Sequence, residues 1–456
     1  MLKIHTGLEP AHLERKIQRL WELSASKIRS IEKNRDASKG SPVFTVAGRY
    51  SSRGWTEWTE GFQFGSAILQ FDATGEKAFL ELGRTRTLER MAAHVTHAGV
   101  HDHGFNNVST YGSLLRLMAE DKIESNEWER RYYELALKCS GATQARRWTR
   151  IPGGGYIYSF NGPHSLFVDT IRSLRILALG YQLGHDLMEE NDARVSLLER
   201  LVQHARATAT YSVYYGEGRD AYDVRGRVAH ESIFNINDGC YRCPNSQQGF
   251  SPFSTWTRGL AWAMLGFAEE LEFVRLIRDE ELVGLGGREN LEGFMLKAAK
   301  ATCDFYINNV PPDGIPYWDT AAPMLAGKPD ILDRPADPFN YSEPVDSSAA
   351  AIAAQGLVRL GHYLGNEGDK YWRAGLTVLN TLLDEPYLST DELHEGLVLH
   401  SVYHRPNGWD YVPPSHKVPR GESSMWGDYH TREVALYVQR VINRDPYLMF
   451  ALRENR

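Results

Sequence analysis

Residues 10–32 read PAHLERKIQRLWELSASKIRSIE. Leu13, Ile17, Leu20, Trp21, Leu23 and Ile28 recur at helical spacing, with Lys and Arg between them. Residues three and four apart share one face of a helix, so the stretch predicts an amphipathic helix over 9–33. Similar periodicity returns near 62–72, 76–94, 107–119, 125–139, 166–184, 191–213, 254–276, 289–309, 346–364, 368–383 and 422–442. Alternating runs that would make strands are few and short. The chain therefore reads as all-α. About a dozen helices in sequential hairpins suggest an (α/α)6 barrel, a six-hairpin toroid, with 1–456 as a single domain. An α-solenoid would need a fixed repeat, and no residue identities recur at a constant period. Asp346-Ser347-Ser348 before AAAIAAQGL reads as a capped helix start, and Gly180 and Gly184 as helix ends.

Composition narrows the function. Hydrophobic residues at 42% and charged residues at 24% are ordinary for a globular chain, which argues against disorder. The net charge is -7 and no Lys/Arg block stands out, so nucleic acid is not the expected partner. No run of 18 uncharged apolar residues occurs and the N-terminus lacks a signal-peptide pattern, so the expectation is a cytoplasmic protein without a membrane partner. Cys240-Tyr-Arg-Cys243 is a lone C-x-x-C with one nearby histidine, His230, and reads as an ordinary loop rather than a metal site.

The unusual material lies between the helices, in segments rich in Gly, aromatics, His and Asp: 101–107, 151–164, 223–234, 245–259 and a long loop at 404–425. Loops held on a rigid scaffold are where function concentrates. His101-Asp102-His103-Gly104-Phe105 is either a helix cap or a carboxylate site. Asp169 sits among Leu166, Phe167, Val168 and Ile171, where apolar neighbours predict a raised pKa and a general acid; an N-terminal charge on a helix is the plainer alternative. Trp256, Arg258 and Trp262 do not fit one regular core face. An arginine flanked by tryptophans suits a sugar carboxylate, and a buried structural ion pair is the competing reading. By itself His230 reads as packing.

Several segments in order resemble the unsaturated glucuronyl hydrolases of glycoside hydrolase family 88: EWTEGFQFG at 57–65, HDHGF at 101–105, FVDTIRSLRILALG at 167–180, HESIF at 230–234, QGFSPFSTWTRGLAW at 248–262, DGIPYWD at 313–319, DSSAAAIAAQGL at 346–357 and WGDY at 426–429. The resemblance runs from about residue 55 to 440. It implies an (α/α)6 barrel without a cofactor or metal, acting on oligosaccharides that carry a 4,5-unsaturated glucuronic acid at the non-reducing end. It implies hydration of the vinyl ether, with Asp169 as acid/base and Asp102 as the second carboxylate. It places Trp58, His230, Gln248, Trp256, Arg258 and Trp262 against substrate, with Phe160 where the family has a stacking Trp. Gln63 stands where an aromatic is usual, and loop 404–425 is long, so a reshaped site is expected. Related rhamnogalacturonyl hydrolases of family 105 share the barrel. An inverting exo-glycosidase on saturated uronic acids and a non-catalytic sugar-binding toroid are the alternatives. Either a monomer or a small homo-oligomer is compatible with the sequence.

Overall fold

The computed structural model describes residues 1–54, 57–325 and 329–452. Its longer helices are α1 (Glu14–Asn34), α2 (Glu60–Thr74), α3 (Lys77–Arg90), α4 (Glu127–Arg146), α5 (Arg175–Gln182), α6 (Leu197–Tyr211), α7 (Thr257–Val274), α8 (Arg288–Asn309), α9 (Ser347–Leu364), α10 (Asp369–Leu382) and α11 (Met425–Asn443). A short 3-10 turn, Pro10–Leu13, leads into α1, so the predicted 9–33 helix is present with its start tightened.

The helices divide by what surrounds them. α2 packs on α11, α11 on α9, α9 on α7, and α7 on the turn Thr170–Ser173 that precedes α5. That turn packs on His103–Asn107, and the helical run through residue 112 packs back on α2. These segments are mostly buried, and every residue of α7 is. Helices α1, α3, α4, α6, α8 and α10 lie against them from outside, and α1 keeps its polar face toward solvent as an amphipathic helix should. A helix surrounded by other helices needs small residues where backbones meet. A Cβ on Gly266 would lie 2.9 Å from the Arg172 nitrogen, so glycine lets α7 reach that turn.

Strands occupy the connections. They form the hairpins β1 (Ser41–Val46) with β2 (Arg49–Arg53), β3 (Trp148–Ile151) with β4 (Gly154–Ile157), and β6 (Asp186–Met188) with β7 (Arg194–Ser196). A three-stranded antiparallel sheet orders β5 (Ser165–Phe167), β8 (Glu231–Phe234) and β9 (Tyr241–Asn245).

This sheet corrects the predicted helix at 166–184. Residues 165–167 pair with 231–233, and the chain turns helical only after Asp169. The apolar run alone could not distinguish these outcomes, because the partner strand is distant in sequence. The predicted helices at 191–213 and 254–276 likewise start later, at Leu197 and Thr257. Gly184 does end a helix, with φ of 72°. Gly180 instead lies inside α5, where a Cβ would meet Leu197 Cδ1 at 2.6 Å. Among the described residues no helix is long and apolar enough to cross a membrane.

Candidate active site

Asp102 and Asp169 each occupy the residue before a short helix, yet neither side chain accepts a hydrogen bond from that helix. Other positions of this kind are capped: Asp346 accepts from the Ser348 and Ala349 N–H groups, and Asn126 from those of Trp128 and Glu129. The cap reading of HDHGF therefore fails, and both carboxylates are left for other work.

Ser173 holds the two segments together. Its hydroxyl donates to the His101 carbonyl at 2.7 Å and accepts from the Gly104 N–H at 2.9 Å. A Cβ on Gly104 would lie 2.1 Å from the Ser173 carbonyl oxygen, so only glycine permits this approach. The result puts both aspartates in the wall of one cavity of about 410 Å³.

His101 lies between them, its Nε2 3.6 Å from Asp102 Oδ1 and 3.8 Å from Asp169 Oδ2. These are ion-pair distances, too long for hydrogen bonds. Neither ring nitrogen of His101 has a hydrogen-bond partner, nor does Asp169 Oδ1. Buried polar groups are ordinarily satisfied, so this cluster is incomplete without an occupant.

Charge follows from the same arrangement. Burial pushes the Asp102 carboxyl up and the neighbouring Asp169 charge adds to this, with His101 opposing. Burial also pushes Asp169 up, but the facing His101 imidazole outweighs it and leaves this carboxyl below its ordinary value. Burial lowers His101, and the two carboxylates more than reverse that. The predicted raised pKa of Asp169 is thus corrected: its carboxyl is shifted down, while Asp102 and His101 are shifted up. Apolar neighbours were visible in sequence; the imidazole facing Asp169 was not.

Tryptophans and their neighbours form the walls. Trp58 stacks on Trp426 with ring centroids 5.0 Å apart, and Trp256 and Trp262 also line the cavity. Phe160, 59% exposed, lies nearly parallel to His101 at the mouth. Gln248 lines the cavity and accepts from Arg258 at 2.8 Å.

His230 sits behind this wall rather than in it. Its ring packs on Phe167 and Trp256, and its Nδ1 accepts from the Gln247 and Gln248 backbone N–H groups. Burial lowers its pKa to about 4, so it is neutral. Gln63 lies outside the cavity lining and accepts a hydrogen bond from Arg35.

Arg258 differs most from its expected role as the binder of a sugar carboxylate. Its Nη1 donates to Asp346 at 2.9 Å and to the Val402 carbonyl. Its Nη2 donates to Gln248 and to the Tyr403 carbonyl at 2.7 Å. Four of the five guanidinium donors are spent, and the structural ion pair describes this residue. Trp256, Arg258 and Trp262 are all buried, contrary to the one-face argument, because α7 is enclosed on all sides.

Sequence reasoning passed over several lining residues: Arg53, Glu57, Gln247, Tyr403, His404, Asn407 and Trp409. The last three come from loop 404–425, whose composition alone marked it. Asp410 folds the loop back by accepting from the Tyr403 and His404 N–H groups. Burial pushes the Glu57 carboxyl up, making it a third protonatable acid beside the pair. Among the described residues no group of three His, Cys, Asp or Glu side chains could hold a metal ion, and Cys240 and Cys243 are both free and exposed.

Fold and cavity define a mainly helical protein with paired carboxylates at the floor of a tryptophan-walled pocket. No family model matches the chain. It is similar to an unsaturated glucuronyl hydrolase of Formosa agariphila, 26% identical over 391 residues, 85% of this chain and 81% of that one. A second unsaturated glucuronyl hydrolase, from Bacillus sp. (strain GL1), is 25% identical over 398 residues, 84% of this chain and 87% of its own. Solved structures share the fold. The unsaturated glucuronyl hydrolase from Bacillus sp. GL1 superposes with a TM-score of 0.70 at 22% identity, covering 95% of this chain and all of that one. A mutant enzyme from Streptococcus agalactiae complexed with dGlcA-GalNAc6S superposes at 0.63 with 18% identity, covering 98% of each chain. The resemblance read from the motifs thus extends over most of the chain.

Proposed function

We propose that the protein is an unsaturated glucuronyl hydrolase, releasing 4,5-unsaturated glucuronic acid from the non-reducing end of lyase-generated oligosaccharides. The observation that carries this is the meeting of Asp102 and Asp169 across His101 in one aromatic-walled cavity. The closed series of buried helices, each backed by an outer one, supports an (α/α)6 barrel forming a single catalytic domain.

Asp169 is the acid/base. A bound uronate brings a negative charge and displaces water, and both raise a neighbouring carboxyl. Asp169 then takes up a proton, with Asp102 and His101, whose pKa values are shifted up, beside it to supply one. It gives that proton to C4 of the vinyl ether, and positive charge develops at C5 and the ring oxygen. Water adds at C5 and returns a proton to Asp169. The hemiketal opens and releases the remaining sugar. Asp102, coupled to Asp169 through His101, sets where the shared proton rests, so the cluster titrates as a unit. Trp58, Trp256 and Trp262 present ring faces to the sugar, and Phe160 guards the entrance.

The test follows the ultraviolet absorbance of the C4=C5 bond in lyase-generated disaccharides. Loss of that signal on adding enzyme is expected. Persistence with every such disaccharide, together with cleavage of p-nitrophenyl glucuronide, would instead identify an ordinary glycosidase.

A further inference from the structure

Arg258 has four of its five donors engaged, which leaves it little to offer an anionic ligand, and a second guanidinium reaches the same cavity. Arg53, the last residue of β2, lines the same cavity. Its guanidinium lies 4.2 Å from the Trp409 ring centroid, 5.6 Å from that of Phe44 and 5.8 Å from that of Tyr403. Its guanidinium has no side-chain ion pair or hydrogen bond among the described residues, and the Glu57 carboxyl in the same lining is near enough to be lowered by its charge. Many interior arginines elsewhere are paired with carboxylates, as Arg35 is with Glu60, Arg116 with Asp72 and Arg359 with Glu272, while Arg147 and Arg227, which also lie over tyrosine rings, donate to backbone carbonyls instead. Aromatic rings can hold a guanidinium by its face, which leaves the N–H edge available for a planar oxyanion.

The support beneath Arg53 is built from two directions. β1 and β2 form a hairpin that carries Phe44 and Arg53 together. Loop 404–425 brings Trp409 over the guanidinium, its base fixed by Asp410. Trp409 also contacts His404 and Tyr403, at 4.6 and 5.4 Å between ring centroids. Long loops usually cost order; this one is tied to the cavity edge.

We propose that Arg53, clamped by Trp409, is the residue that binds an oxyanion of the substrate, and that the 404–425 loop exists in part to hold it. The inference rests on the sugar-acid reading of the cavity. The oxyanion is either the carboxylate of the terminal uronate or an acidic substituent on the next sugar, and planar N–H donors suit both.

The experiment uses the full chain, Arg53→Gln and Arg53→Lys. Substrates are an unsaturated disaccharide without sulfate, its terminal methyl ester, and a disaccharide sulfated on the second sugar. For Arg53→Gln, KM should rise about 10- to 100-fold, the range of one lost charge-assisted interaction, with kcat changed less. Arg53→Lys should recover part of this, since an ammonium cannot fork. If the terminal carboxylate is the ligand, both acids suffer and the methyl ester does not distinguish the variants. If the substituent is the ligand, only the sulfated substrate suffers. Equal KM for all substrates in a variant with unchanged melting temperature overturns the proposal. Should wild-type protein leave every double bond intact, the hydrolase reading fails separately. Calorimetric titration of the same disaccharides then decides Arg53: weaker binding by Arg53→Gln retains it, and equal binding removes it.

Discussion

Asp169 and Arg172 are one helical turn apart and enter two very different clusters of buried charge. Arg172 donates to Glu269 at 3.0 Å and to Glu433 at 2.6 Å, with Arg175 close to both carboxylates. Arg359 pairs with Glu272 at 2.8 Å nearby. The arginine charges hold the Glu433 carboxyl well below its usual range. Around Asp169 the histidine and the two carboxylates stand apart at 3.6 and 3.8 Å, with polar atoms lacking partners. The first cluster is held by direct carboxylate–guanidinium contacts, although Arg172 Nη1 and Arg359 Nε have no hydrogen-bond partner. The second keeps its groups near one another but unsatisfied, the arrangement a site needs if an incoming substrate is to supply the missing partner. Direct pairing with an opposite charge, rather than burial, separates structural charge from chemical charge here.

The largest effect is expected from Asp169→Asn. Turnover of an unsaturated disaccharide should fall about 10²- to 10⁴-fold, the range of a lost acid/base group, while the melting temperature holds. A variant that keeps its rate would end the distinction drawn between the clusters. Glu433→Gln should do the reverse. Breaking one partner of a buried ion cluster costs about 3–5 kcal/mol, so denaturant titration should show a large loss of stability with activity per folded molecule retained. Arg258→Ala lies between the two, because it touches the cavity wall and pairs with Asp346. It should lose about 2–4 kcal/mol of stability, and a simple rise in KM without any destabilisation would return Arg258 to ligand binding.

The smallest effect concerns Glu270, the exception beside the paired cluster. Neither of its carboxyl oxygens has a hydrogen-bond partner, and burial followed by the Glu269 charge pushes its pKa far up. A carboxyl that holds its proton more tightly when folded stabilises the fold at low pH. That contribution is lost as pH rises from the ordinary value of 4.5 toward the raised one. Glu270→Gln should flatten this decline and stabilise the protein near neutral pH by on the order of 1 kcal/mol. Melting curves across pH would show it, and an unchanged slope would count against a buried acid at this position.

The sequence by itself carried the helical architecture, because periodicity over fifteen or twenty residues outweighs local ambiguity. It also carried Asp102, Asp169 and the tryptophans, because distinctive motifs recur in a recognisable order. It could not decide the strand at 165–167, whose partner lies more than sixty residues away, nor which aspartate is shifted up and which down. It gave Arg258 the task of an anion binder and left Arg53 unread. Those questions depend on distances between segments far apart in the chain: His101 to Asp169, Arg258 to Asp346, Trp409 to Arg53. Hydrogen bonds and electrostatic fields act over a few ångströms of space, and only the folded chain sets which residues share that space.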